Sequence, residues 1–120
     1  CGDNLSGDNS GGTDTISDWG SYCSGAVSNT GPEAYYVFSH SSGGAVTAEL
    51  NISGSEDLEL FVVGETGGDC DASGDCMDYS QSTGSVETIA FTATAGSTYY
   101  IIVDGYNGAS GAFDLSVTCP

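Results

Sequence analysis

Apolar and polar residues alternate along most of this chain with the period of two that sends successive side chains to opposite faces of a strand. Residues 112–118 (AFDLSVT) show it most simply. Phe113, Leu115 and Val117 fall on one face, Asp114, Ser116 and Thr118 on the other. Residues 45–53 repeat the pattern, with Val46, Ala48, Leu50 and Ile52 inward and Thr47, Glu49 and Asn51 outward. In 33–40 (EAYYVFSH), Ala34, Tyr36 and Phe38 oppose Tyr35 and Val37. Residues 57–63 (DLELFVV) put Leu58, Leu60 and Val62 inside, and 86–94 bring Ile89 and Phe91 to the core. Residues 98–104 (TYYIIVD) differ, because β-branched and aromatic residues fill both faces, as in a central strand covered on both sides. Gly105-Tyr106-Asn107-Gly108 then supplies residues that tolerate positive φ, so 98–118 is predicted to form a hairpin.

No window holds a helical period, and no apolar run approaches the length of a membrane span. The patterned runs, with one or two irregular edge strands, predict an all-β sandwich of about eight strands in two packed sheets. Nineteen Gly and only two Pro suit many short turns. Residues 1–24 form a polar, turn-rich arm whose Leu5, Ile16, Trp19 and Tyr22 are sparse anchors, and 25–120 is read as the sandwich. Residues 64–84 (GETGGDCDASGDCMDYSQSTG) have no period and are predicted to be the longest loop. Loops of that length are uncommon in compact domains and tend to be functional or stapled.

Charge narrows the choice of partner. The chain has 17 acidic residues, no Lys or Arg, and a formal charge of −17. Nucleic acid and anionic membrane surfaces are poor partners, since a phosphate backbone needs Lys or Arg to neutralise it. Self-repulsion favours expansion unless salt or bound cations offset it. A hydrophobic content of 38% and the strand alternation nonetheless argue for a folded chain beyond the arm.

The search for chemistry is short. His40 is the only histidine and lies at a strand end beside a Ser-Gly turn, with no nucleophile motif, so it reads as a solvated turn residue. No enzyme is expected. Zinc lacks soft ligands here, with one His and cysteines expected in disulfides. The best metal signal is DCDASGD at 69–75, where Asp69, Asp71, Ser73 and Asp75, with Gly74 for the bend, resemble the start of a calcium loop. Ser80 stands where such a loop carries its bidentate Glu, and the competing reading is a disulfide-closed acidic surface loop.

Five cysteines point to an oxidising compartment, extracellular or at the cell surface. Cys70 and Cys76, with five residues between them including the Gly74 bend, are expected to pair locally. Cys119 is in phase with Phe113, Leu115 and Val117, and Cys23 is its expected partner. Cys1 is then left to bond a neighbouring subunit or to carry lipid, because a chain beginning with Cys also resembles a processed lipoprotein. The alternative pairs Cys1 with Cys23 or Cys119 and leaves a different thiol over.

The run TATAGSTYYIIVDGYNGASGAFDLSV (92–117), preceded in order by GPEAYYVF (31–38), AVTAELNISGSEDLELFVV (45–63) and ETIAFTATAG (87–96), resembles the bacterial pre-peptidase C-terminal domain family. The resemblance spans roughly 31–119 and implies a small jelly-roll-like β-sandwich without catalytic residues, of the kind appended to secreted enzymes and surface proteins. Some similar domains bind calcium between an N-terminal segment and the sandwich, which here points to Asp3, Asp8 and Asp14 with Glu33. Asp57 and Asp104, where family members carry acids, are expected to cap turns. Two functions follow as expectations. One is a structural or adhesive surface protein that self-associates into an oligomer or polymer through Cys1. The other is a calcium-dependent accessory module of a secreted enzyme system that binds a polysaccharide or protein.

Overall fold

The alternating runs become strands whose inward faces meet between two antiparallel sheets. The computed structural model describes residues 1–65 and 76–120. The strands are β1 (Asp3–Asp8), β2 (Ala34–Ser39), β3 (Gly44–Ile52), β4 (Leu58–Gly64), β5 (Cys76–Ser80), β6 (Val86–Ala93), β7 (Thr98–Gly105) and β8 (Ala112–Thr118). One sheet has the order β1-β8-β3-β6 and the other β2-β7-β4-β5. The pairs are nested: β4 with β5, β3 with β6, β2 with β7, and β1 with β8. This is a jelly-roll arrangement, as the resemblance implied.

Nesting corrects the predicted hairpin. β7 pairs with β2 and β4, whereas β8 pairs with β1 and β3, so the two lie in opposite sheets. The intervening turn has the expected backbone, with Asn107 at φ 51° and Gly108 at φ 82°, but it carries the chain across the sandwich. The burial needs of the two strands decide this. β7 is apolar on both faces and takes a central place in the sheet that is covered on both sides. β8, polar on one face, sits in the sheet whose outer face meets solvent. Gly105 permits the crossing, since a Cβ there would lie 1.8 Å from the Ala109 carbonyl oxygen.

Two cores result. Between the sheets lie Val46, Leu50, Leu60, Ile89, Ile101, Phe113 and Leu115. The second core covers the outer face of the β2-β7-β4-β5 sheet, where Ile16, Trp19 and Cys23 of the arm close over Phe61, Val63, Tyr100 and Ile102. Trp19 is fully buried and stacks on Phe61, with centroids 3.8 Å apart and planes 7° from parallel. Glu33 pins the arm by accepting hydrogen bonds from the backbone amides of Thr15 (2.8 Å) and Ile16 (2.5 Å). The arm also supplies β1, so it belongs to the sandwich at both ends.

The predicted loop at 64–84 is corrected in part, because Cys76–Ser80 forms an edge strand against β4, with a register shift between Val62 and Val63. Those five residues are mostly half-buried and show no alternation, which is why the sequence conceals them. Residues 66–75 lie outside the described residues, and with them Cys70 and the candidate ligands Asp69, Asp71, Ser73 and Asp75.

The disulfides differ from the expected pairing. Cys1 is bonded to Cys119 and Cys23 to Cys76. The β1–β8 register sets Asp3 opposite Val117, which brings Cys1 to Cys119 two residues further out. The arm crosses the outer sheet face and delivers Cys23 to the edge strand β5. Neither pairing of Cys70 with Cys76 nor of Cys23 with Cys119 is therefore possible, and Cys1 is not left over. Among the described residues, no helix is long and apolar enough to cross a membrane.

Candidate functional site: an acidic groove on the covered sheet face

Among the described residues, no three of the arm's candidate calcium ligands bring their oxygens within 4.8 Å of one another. The Ser10 side chain first, and then the Ser10 amide that donates to Asp8 (2.7 Å), hold the Asp8 carboxyl below the usual range, and Glu33 is occupied by the Thr15 and Ile16 amides. Among the described residues, the one trio of His, Cys, Asp or Glu ligand atoms within 4.8 Å of one another is Cys1, His40 and Cys119. Its two sulfurs are bonded to each other. His40 follows β2 and accepts a hydrogen bond from the Ser42 amide at Nδ1 (3.3 Å), as suits a turn residue.

A different acidic group stands at the far end of the covered sheet. Glu59 of β4 and Asp104 of β7 are directly opposite each other in register, and they are only 3% and 0% exposed. Their side chains share the outer face with Phe61, Val63, Tyr100 and Ile102. Opposed like charges are unfavourable even on an open sheet, and burial strengthens the penalty. The chain offers no Lys or Arg to pair with either.

Asp104 is well supplied with donors. The Trp19 indole N–H donates to Oδ2 (2.6 Å) and the Gly105 amide to Oδ1 (2.6 Å). Asp104 therefore caps its turn as expected and also anchors the arm. Burial pushes its carboxyl up to about 7 against the pull of those two donors, with Glu33 and Asp14 adding to the rise. Replacing Trp19 with Phe should keep the stacking and remove one donor, costing about 1–3 kcal/mol for the abandoned carboxylate oxygen. Urea unfolding at pH 8 reads this, and an unchanged midpoint would remove Asp104 as the anchor.

Glu59 is less well served. Its Oε2 has no hydrogen-bond partner among the described residues, and neither has Oδ1 of Asp57. Burial first, and then the charges of Asp57, Glu87 and Asp104, push the Glu59 carboxyl up to about 8. Glu87, buried at the end of β6, is held by the Ser80 hydroxyl and by the Ser82 hydroxyl (2.5 Å) and amide (3.2 Å). Asp57 does not cap a turn with Oδ1. Its backbone carbonyl instead accepts the Tyr106 amide (2.9 Å).

Asp57 and Glu59 line a cavity of about 220 Å³ together with Val27, Gln81, Ser82, Thr83 and Tyr106. One wall is fixed by Gln81, which accepts from the Val27 amide (2.8 Å) and donates to the Val27 carbonyl (3.1 Å). Asn29, fully buried beside Gln81, has no partner for its Nδ2 among the described residues. Val27 and Tyr106 stand at the rim, 51% and 39% exposed. Sequence reasoning passed over Glu59 and Glu87 because the first occupies an outward position and the second opens a strand. The outward residues of β4 read Glu59, Phe61, Val63, and two large apolar side chains there were the available sign of a covered face.

The family profile of the bacterial pre-peptidase C-terminal domain matches residues 32–105. No curated protein sequence matches the chain. Among solved structures it is similar to the pre-peptidase C-terminal domain of collagenase from Bacillus anthracis, with TM-score 0.63 and 16% identity over 98% of this chain and 89% of that one. It is also similar to PliG of Aeromonas hydrophila, a periplasmic inhibitor of g-type lysozyme, with TM-score 0.51 and 12% identity over 97% of this chain and 85% of that one. Both likenesses speak to the fold.

Proposed function

This chain belongs to the bacterial pre-peptidase C-terminal domain family, whose members are non-catalytic accessory domains, and from that premise we propose that it is an extracellular binding module for a positively charged ligand. The observation that carries this reading is a cavity lined by Glu59 and Asp57, each with a buried carboxylate oxygen that has no partner among the described residues, in a chain with no Lys or Arg of its own. A buried carboxylate without a counter-charge is expensive, and a cationic ligand relieves that cost on binding. Two disulfides support an oxidising location, as does the occurrence of such domains in secreted proteins. The self-associating alternative rested on Cys1 as a linking thiol, and Cys1 is bonded within the chain.

A short oligolysine peptide and its fully acetylated form test the reading by calorimetry. The charged peptide should bind saturably and persist at physiological salt, where exposed charges are screened beyond about 8 Å. The acetylated peptide should not bind. Binding that disappears at that salt, or turnover of peptide, ester or glycoside substrates, would refute the proposal.

A further inference from the structure

We propose that the cavity beneath Val27 and Tyr106 is a receptor for a single lysine or arginine side chain of a partner protein, received by Glu59 and Asp57. The inference rests on the cationic-ligand reading above and assigns it to one place and one chemical group. Glu59 supplies the polar evidence, since it is 3% exposed, lines the cavity, and has no hydrogen-bond partner for Oε2 among the described residues. Asp57 lines the same cavity with Oδ1 likewise unpartnered. Two residues that line the cavity thus each carry a buried, unpartnered carboxylate oxygen, which an ammonium or guanidinium group satisfies with its own N–H donors.

The rim accounts for the rest of such a side chain. Val27 and the Tyr106 ring present apolar surface at the mouth, suited to the methylene stem of Lys or Arg, and a ring face also attracts the cation. About 220 Å³ accommodates a long side chain rather than a bare ion. A hard divalent cation is the competing occupant. Calcium takes six to eight oxygen ligands, and among the described residues no three carboxylates gather within 4.8 Å of one another. Two acceptors beside a partly apolar cavity fit a charge on a stem better.

Protonation adds a signature. Glu59 faces Asp57 from just before β4, Asp104 across the β4–β7 pair, and Glu87 from β6. Its carboxyl is held up to about 8, so a cation must displace a proton at neutral pH, and binding tightens as pH rises from 6 to 9.

The probe is Nα-acetyl-lysine methylamide, followed by amide shifts in nitrogen-15 correlation spectra of the intact chain, with the uncharged norleucine analogue as control. Signals of Val27, Gln81 and Tyr106 should move saturably with the lysine amide and stay still with the norleucine amide. Glu59→Gln should weaken binding by about tenfold or more, as loss of a charge-assisted contact does. Asp114→Asn removes the same charge from the opposite sheet and should leave affinity within about twofold. Buried Trp19 fluorescence reports that each variant is folded. Equal weakening in both variants would reduce the effect to net charge and overturn the assignment, as would still signals with the lysine amide. Calcium chloride that moves the same signals and displaces the amide would overturn it in favour of a metal site. Oligolysine binding that survives Glu59→Gln would leave the cationic-ligand reading standing and refute only this pocket.

Discussion

The melting temperature of this protein should fall by at least about 10 °C between pH 5 and pH 8, with an optimum near pH 4–5. Glu59 is held up to about 8 and Asp104 to about 7, both mainly by burial. Between the ordinary carboxylate range and those raised values, the folded chain binds more protons than the unfolded chain. Stability is therefore fully present below the ordinary range and is lost as pH climbs through the raised values. Each such group contributes up to about 1.4 kcal/mol per pH unit inside its window. Self-repulsion among 17 carboxylates acts in the same direction, so the wild-type profile alone does not isolate the pair. Glu59→Gln does. It should change little at pH 5, where Glu59 is already neutral, and raise the melting temperature at pH 8. Parallel wild-type and variant profiles from pH 5 to 8 would refute the role given to Glu59. A gain in stability paired with a loss of cation binding is the trade expected at a functional site.

Removing the disulfides should cost stability by two separable routes. Cys23–Cys76 closes a separation of 53 residues and Cys1–Cys119 one of 118. Loop-closure entropy assigns roughly 4 kcal/mol to the first and about 5 kcal/mol to the second, and measured losses for native bridges run about 2–5 kcal/mol. The structural consequences differ. Cys23 belongs to the arm that covers Phe61, and Trp19, four residues earlier, is the only tryptophan. Replacing Cys23 and Cys76 with Ala should loosen the arm and shift Trp19 emission to the red. Replacing Cys1 and Cys119 should lower stability while leaving that emission unchanged, because this bridge ties β1 to β8 in the other sheet. Non-reducing peptide mapping should recover both crosslinks. Recovery of Cys70 joined to Cys76 would contradict the architecture itself.

Much of the fold was legible because alternation is a local property. Phe113, Leu115 and Val117, or Val46, Ala48, Leu50 and Ile52, reveal an inward face without reference to any other strand, and the structure buries each of them. Family resemblance added the jelly roll, and the nested sheet order bears it out. Edge strand β5 stayed hidden because half-buried residues at a sheet margin carry no period. The 98–118 turn was right in its backbone and wrong in its partners. Residues such as Asn107 and Gly108 report φ, whereas pairing depends on which sheet covers each face.

The acidic site was legible only in part. Composition alone predicted a chain that needs cations, and it disfavoured nucleic acid as a partner. Asp69, Asp71, Ser73 and Asp75, or Asp3, Asp8, Asp14 and Glu33, were natural candidates because spacing and composition are all that a linear reading can weigh. Glu59 looked like an ordinary outward residue. Only the tertiary structure sets it against Asp104 through the β4–β7 register, buries it, and leaves its Oε2 without a partner among the described residues.

The identity of the patterned strands, their inward faces, the glycine-dependent turns and the lack of Lys and Arg were thus fixed along the chain alone. Each depends on neighbours within a few positions or on a simple count. Disulfide pairing, the sheet assignment of β7 and β8, and the buried carboxylates were decided by tertiary structure. Each requires segments some fifty to more than a hundred positions apart to meet, as Cys23 meets Cys76 and Cys1 meets Cys119. Burial belongs to whatever packs against a residue, and around Glu59 that is built by Val27, Gln81 and Tyr106 from three other parts of the chain.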